Sequence, residues 1–265
     1  MRPVITLLTD YGPGTEHVGA LHAVIVTGCP AADRIDLAHD IPPGDVLWGG
    51  LLLAQLAAAS PVGTHLAVVD PGVGTTRRSV AIACEDGRVL VGPDNGLLMF
   101  AADRFGARAA VVVAAPPDAA ATFHGRDVFA PACARLASGV GLASLGSPVE
   151  VESLIRVPIP VTTTERGRIE TCLLGIDRFG NLALAAGPQA LAAAGIATGD
   201  LLRVSGAAAA LDARVARTFA DVASGVPLVY VDAHGLLAVS INGGNAHEQL
   251  SVKPAETIIL ALHGR

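Results

Sequence analysis

Short apolar runs alternate with longer mixed ones through the first 150 residues. Val4–Leu8 is apolar and halts at TDYGPG, which reads as a buried strand entering a loop. Thr15 then stands where a helix through about Thr27 would begin, with Val18, Leu21 and Ile25 on one face. Arg34–Leu37 reads as a second strand, 44–59 as a helix, and Leu66–Val69 as a third strand. Ser79–Cys84 and Arg88–Val91 flank Asp86-Gly87, the signature of a hairpin. A short helix in DNGLLMFAADRFG, a strand over Arg108–Val113, and a helix entered from FHGRDVFAPACARLASG follow. Strands alternating with helices predict a mainly parallel sheet covered on both faces.

The pattern changes after about Glu150. VPIPVTTTERG is rich in proline and threonine, and beyond it strands dominate: Arg168–Ile176, Leu201–Val204, Val215–Phe219, Leu228–Val231, Leu236–Ile241 and Thr257–Leu262. Only PQALAAAGI reads as helical, and the alanine-rich SGAAAALDARVA carries little information. The expected organisation is an α/β N-terminal domain over residues 1–156, a linker at 157–166, and a small all-β, barrel-like C-terminal domain at 167–265.

Composition narrows the function classes. Hydrophobic residues make up 51 % of the 265, enough for a full core, and disorder is excluded. The net charge of −6, with no basic stripe, argues against nucleic acid. Lys253 is the only lysine, so no Walker loop or N-terminal Schiff base is available. Cys29, Cys84, Cys133 and Cys172 are scattered among apolar residues and read as buried free thiols. Asp10 interrupts the N-terminal apolar run before it could serve as a signal core, and no stretch suits a membrane span; a cytoplasmic protein is expected.

Several short segments carry chemistry. Asp10 in LLTDYGPG is either a turn residue or a carboxylate that accepts ribose hydroxyls. VVDPGVGTTRRS places Asp70 at a strand end, with Gly72 and Gly74 freeing the backbone behind it. Arg77 and Arg78 follow; they are either surface charges, or one guanidinium turns back toward Asp70. His124 in TFHGRDVFAP can be structural or can orient a water. Asp127 beside it is most simply a helix cap. GIDRFGN sets Phe179 and Asn181 in a turn, where a ring and an amide would suit a flat base, or a plain hairpin. Asp177 and Asn242 join the candidate substrate-binding residues. No His/Cys/Asp cluster has metal-ligand spacing, so a metal site would need ligands from distant loops. A serine hydrolase would lack its G-x-S-x-G elbow.

TDYG, VDPGVGTTRR, VGPDNG, TFHGRDVFAPA and IDRFGN occur in that order. With them the chain resembles the S-adenosyl-L-methionine (SAM) hydroxide adenosyltransferases, or SAM hydrolases, relatives of the fluorinases and chlorinases. The resemblance implies an α/β domain joined to a barrel-like domain, and a homotrimer with sites at subunit interfaces. It implies hydrolysis of SAM to adenosine and L-methionine with no cofactor and no metal. Asp70, Arg77 and His124 take the catalytic positions, Asp10 the ribose position, and Phe179 and Asn181 the adenine side. The halogenases carry tyrosine where this chain has Asp70. Ala233 and His234 stand where the fluorinases hold the methionine end with a Ser-Arg pair. The rival readings are a SAM or adenosine sensor without turnover, and a SAM-dependent halogenase, which Asp70 disfavours.

Overall fold

A computed structural model describes residues 2–263 and divides the chain into two compact units, which meet in sequence at Val157–Pro158. In the first unit the chain runs β1 (Val4–Thr9), α1 (Glu16–Gly28), β2 (Asp33–Ala38), α2 (Val46–Ala58), β3 (Thr64–Val68), β4 (Ser79–Cys84) and β5 (Val89–Pro93). It continues through α3 (Met99–Phe105), β6 (Ala107–Val113), α4 (Ala130–Ala137) and β7 (Gly146–Val149).

The seven strands form one sheet in the order β2-β1-β3-β5-β4-β6-β7. Neighbours from β2 to β5 are parallel; the ladders of β4 with β5 and β6, and of β6 with β7, are antiparallel. Five strands therefore point one way, and β4 and β7 run against them. The sheet is mixed because the Asp86-Gly87 turn makes β4 and β5 a hairpin, with Ser79 paired to Pro93.

Alternate residues of each strand feed opposite layers, as pleating requires. Leu66 and Val68 of β3 pack with Leu21 and Ile25 of α1 and with Phe129. Ala67 and Val69 pack with Leu53 of α2 and Met99 of α3 on the other face. The α2–α3 approach is close enough to need a glycine. A Cβ at Gly50 would sit 2.8 Å from the Phe100 ring and 2.9 Å from the Leu97 carbonyl oxygen. Thr15 holds the residue position before α1, but its hydroxyl bonds the Gly12 carbonyl and does not cap the helix. Asp45 does cap α2, accepting from the Trp48 amide at 3.0 Å.

The second unit contains β8 (Thr163–Glu165), β9 (Arg168–Ile176), β10 (Leu182–Leu184), α5 (Pro188–Ala194), β11 (Leu201–Ser205) and β12 (Ala210–Val215). β13 (Pro227–Val231), β14 (Leu237–Ile241), α6 (Ala246–Leu250) and β15 (Thr257–Leu262) complete it. β10 pairs with both β9 and β14, so seven strands close into a barrel and β8 is appended to β9. Within the stretch read as a linker, residues 163–165 are thus a strand. The strand expected over 215–219 lies instead at Ala210–Val215, where Leu211, Ala213 and Val215 point inward and Asp212 and Arg214 outward. The run of alanines leading into it, 207–210, hides that alternation from a hydropathy reading. Among the described residues no helix is long and apolar enough to cross a membrane.

His65 on β3 is fully buried, with Nδ1 2.8 Å from the Thr6 hydroxyl. Burial, assisted by the Arg88 cation, lowers its pKa from 6.5 to about 4. Between those values the unfolded chain binds a proton that the folded chain refuses, so stability falls as pH drops through that window. The full loss, reached below about pH 4, is about 3 kcal/mol. Urea unfolding at pH 7 and pH 4.5 should show this decline, and His65→Gln should flatten it relative to the parent.

Candidate active site

β1 and β3 are parallel and end at the same edge of the sheet, which puts Asp10 and Asp70 side by side just beyond it. β4 runs the other way, so its beginning lies at that edge, and Arg77 precedes it by two residues. β6 is antiparallel to β4 and ends there too, delivering the chain toward His124. One hairpin therefore lets a strand start meet three strand ends.

The loop from Asp70 to Arg77 folds back on itself. Val73 N–H donates to the Asp70 carbonyl at 3.2 Å, and Thr75 N–H to the Gly72 carbonyl at 3.2 Å. Gly74 sits at φ +80, a conformation other residues adopt only under strain. Asn95, from VGPDNG, donates to the Val69 carbonyl at 2.8 Å and steadies the loop from beneath.

This folding returns the Arg77 guanidinium to Asp70 as a two-pronged pair. Nε–H donates to Oδ1 at 2.9 Å, and Nη2 donates to Oδ2. Nη2 also reaches His124 Nδ1 at 2.9 Å, and Nη1 donates to Ser79 Oγ at 2.8 Å and to the Arg78 carbonyl at 3.3 Å. All five N–H groups of the guanidinium are thus engaged. Its plane lies 5.2 Å from the Phe129 ring centroid, and only 8 % of the Arg77 side chain and 5 % of the Asp70 side chain are exposed. Arginine has no acceptor, so His124 Nδ1 must accept, and the neutral ring carries its proton on Nε2. Burial and then the Arg77 cation lower the His124 pKa, against weaker opposing effects of Asp70 and Asp127.

Arg78 points elsewhere. It pairs with buried Asp94 through Nε at 2.6 Å and donates to the Ser153 carbonyl at 2.6 Å. Asp94 in turn accepts from the Ile155 amide at 2.8 Å. Asp127 is not a helix cap: it accepts from the Ala120 amide at 2.8 Å and pairs with Arg126, fixing the approach to His124. The chain enters α4 through a wide turn, Gly125–Phe129, which leaves no ordinary cap position there.

A cavity of about 380 Å³ opens beside this network, lined by Asp10, Tyr11, Gly44, Asp70, Val73 and Thr122 among others. Asp10 accepts from the Gly44 amide at 2.9 Å, and burial raises its pKa. A carboxylate has about four acceptor sites, so capacity remains for hydroxyls of a ligand. Tyr11, His17 and Phe123 pack as a tilted and edge-to-face trio with centroids 5.0–5.9 Å apart. The sequence reading missed Tyr11, Thr122, Ser79 and Phe129 in these roles. TDYG and FHGRD pointed to the segments but not to their aromatic lining.

In the second unit, Asp177 organises its own turn. It accepts from the amides of Phe179 at 2.8 Å and Asn181 at 2.9 Å, and from Asn181 Nδ2 at 2.7 Å. The Phe179 ring is left 63 % exposed. Asn242 donates its side-chain amide to the carbonyls of Phe219 and Val222 and so braces a neighbouring turn. The asparagine thus spends both amide hydrogens on the fold. The four cysteines are free.

Residues 5–146 match the SAM hydroxide adenosyltransferase N-terminal domain, and residues 171–259 match the C-terminal domain of the same family. A protein of Salinispora tropica named (R)-S-adenosyl-L-methionine hydrolase is 44 % identical over 97 % of both chains. One of that name from Thermus thermophilus is 40 % identical over 96 % of this chain and 97 % of its own. A crystal structure of an uncharacterized conserved protein from Thermotoga maritima superposes with a TM-score of 0.88 at 30 % identity, covering 97 % of this chain and 99 % of that one. The chain has the two-domain architecture that these family models describe, here a mixed α/β unit followed by a closed barrel. It belongs to the SAM hydroxide adenosyltransferase family.

The buried pair makes a stability prediction. Arg77→Met leaves Asp70 charged and unpaired, which should cost about 3–5 kcal/mol. The double variant Asp70→Asn/Arg77→Met should be more stable than Arg77→Met by about 1 kcal/mol or more. Chemical denaturation of the three proteins checks both values.

Proposed function

We propose that this chain hydrolyses SAM to adenosine and L-methionine, by attack of water on the C5′ carbon. The observation that carries the reading is the chain of hydrogen bonds from Asp70 through Arg77 to His124, with Asp70 lining a cavity together with Asp10. The names of the relatives agree with it.

The water oxygen forms a bond to C5′ while the bond from C5′ to sulfur breaks. The electron pair goes to sulfur, and methionine leaves as a neutral thioether that needs no acid. The demanding part is the nucleophile, since free water has a pKa of about 15.7. In this reading no metal or cofactor takes part. Asp70 accepts the proton on a lone pair that Arg77 does not occupy. His124 turns its Nε2–H toward the oxygen and fixes its direction, as a ring whose Nδ1 is already taken cannot be the base. Arg77, with no N–H to spare, acts as a positioning residue. It holds the Asp70 carboxylate in place and His124 in one tautomer. Asp10 accepts the ribose hydroxyls.

Charge also favours a dry cavity. A developing hydroxide and a sulfonium neutralise each other, and their attraction grows as the effective dielectric constant falls. Alignment of oxygen with the breaking bond, about 3–3.5 Å from C5′, supplies the rest.

The finer parts of the proposal are a homotrimer, a cytoplasmic location, and an adenine side furnished by Phe179 and Asn181 of a neighbouring subunit. Four free cysteines fit a reducing compartment, and an aromatic ring left 63 % exposed on a turn fits a surface that awaits a flat partner.

Incubation with SAM in ¹⁸O-labelled water, without halide, should yield adenosine and methionine in equal amounts, with the label in the 5′-hydroxyl of adenosine. Label in methionine, or no adenosine, defeats the reading. Asp70→Asn and His124→Ala should each lower kcat by about 100-fold or more. Sedimentation analysis should give three chains per particle; a monomer would remove the shared-site part alone.

A further inference from the structure

We propose that His22, Asp36 and His39 form a binding site for one divalent metal ion of the zinc class, separate from the chemistry described above. The three residues come from α1, from β2 and from the turn after β2, so no local spacing betrays them. Asp36 Oδ1 lies 3.0 Å from His22 Nε2 and 3.1 Å from His39 Nε2, and one ligand atom from each residue falls within 4.8 Å of the others. A tetrahedral ion with bonds of 2.0–2.1 Å has ligand–ligand edges of about 3.3 Å. The two histidine–carboxylate edges therefore stand close to the spacing an ion would impose.

A second observation points the same way. The His39 side chain is 6 % exposed, and its Nε2 has no hydrogen-bond partner despite its nearness to Asp36. Its Nδ1 is 2.8 Å from the Thr9 hydroxyl. Thr9 Oγ1 already accepts from the Tyr11 amide at 3.2 Å and keeps a lone pair for His39. Metal on Nε2 would select the tautomer in which Nδ1–H donates to Thr9 Oγ1. A metal-bound histidine is held in this way by its other nitrogen.

Two imidazole nitrogens and one carboxylate suit zinc, cobalt or nickel better than magnesium or calcium, which prefer oxygen throughout. His22 is 30 % and Asp36 47 % exposed, which gives the ion an entry path and a water-filled fourth position. Its effect would be mechanical. Gly12 N–H donates to the His39 carbonyl at 2.7 Å, and Thr9 immediately precedes Asp10. An ion here would tie α1 and β2 to the loop that presents Asp10.

The test uses the full chain, stripped with a chelator and titrated with Co²⁺ by visible absorption and with Zn²⁺ by calorimetry. One ion should bind per chain, and Zn²⁺ at a hundredfold excess over its Kd should raise Tm by about 5 °C or more. His22→Ala and Asp36→Asn lie at the accessible side of the cluster. Each should weaken binding by about 100-fold or more, with the Tm of the metal-free protein little changed. Absence of saturable binding would overturn the site and leave a plain His22–Asp36 ion pair. So would binding that survives both substitutions. Adenosine release is measured on the metal-free chain, so failure here and failure of the hydrolase reading are told apart.

Discussion

A single guanidinium governs the candidate site. Arg77 donates all five of its N–H groups, to a carboxylate, an imidazole, a hydroxyl and its neighbour's carbonyl. Each bond has a consequence. The pair with Asp70 fixes the orientation of a nearly buried carboxylate. The bond to His124 decides which ring nitrogen holds the proton. The bond to Ser79 anchors the guanidinium to the first residue of β4. Remove the cation and the carboxylate, the tautomer and the loop lose their reference together. A cluster of this kind is sensitive because the penalty for an unpaired buried charge exceeds the net worth of the pair.

The division of labour follows from saturation. A group with every donor engaged cannot also grasp a reacting oxygen, however close it lies. In the proposed reaction the reactive capacity falls to the two partners that Arg77 leaves unfilled, Asp70 with spare lone pairs and His124 with Nε2–H. This places the electrostatic organisation before substrate arrives, in the manner of preorganised sites.

Much of the fold was legible, because most strands are apolar runs closed by turn residues. β9 and β15 coincide with the expected ranges, and Asp86-Gly87 marks the hairpin that sets β4 against its neighbours. The strand at β12 was missed because it lies in the alanine-rich SGAAAALDARVA, where Asp212 and Arg214 interrupt the apolar run. β7 and β10 are short, and their partners rather than their own residues make them strands. At the site, the turn motifs marked Asp70, Arg77 and His124 as candidates, and the family resemblance supplied their expected roles. They did not reveal that Arg77 is saturated, nor that Asp127 ties down Ala120; both depend on how each loop folds back on itself, and the bond to His124 on bringing two loops together. The His22, Asp36 and His39 grouping was invisible for the same reason.

The two consecutive arginines divide duties in another sense. Arg78, through Asp94, moors the segment Ser153–Ile155 by which the chain leaves the first unit. Tension or jostling transmitted along that exit is therefore borne by Arg78 and the strand behind it. Its neighbour sits one peptide bond away yet faces the other side of the backbone. The anchorage works as a strain relief does on a cable: load is taken up at the clamp, and the delicate connection beyond it stays still.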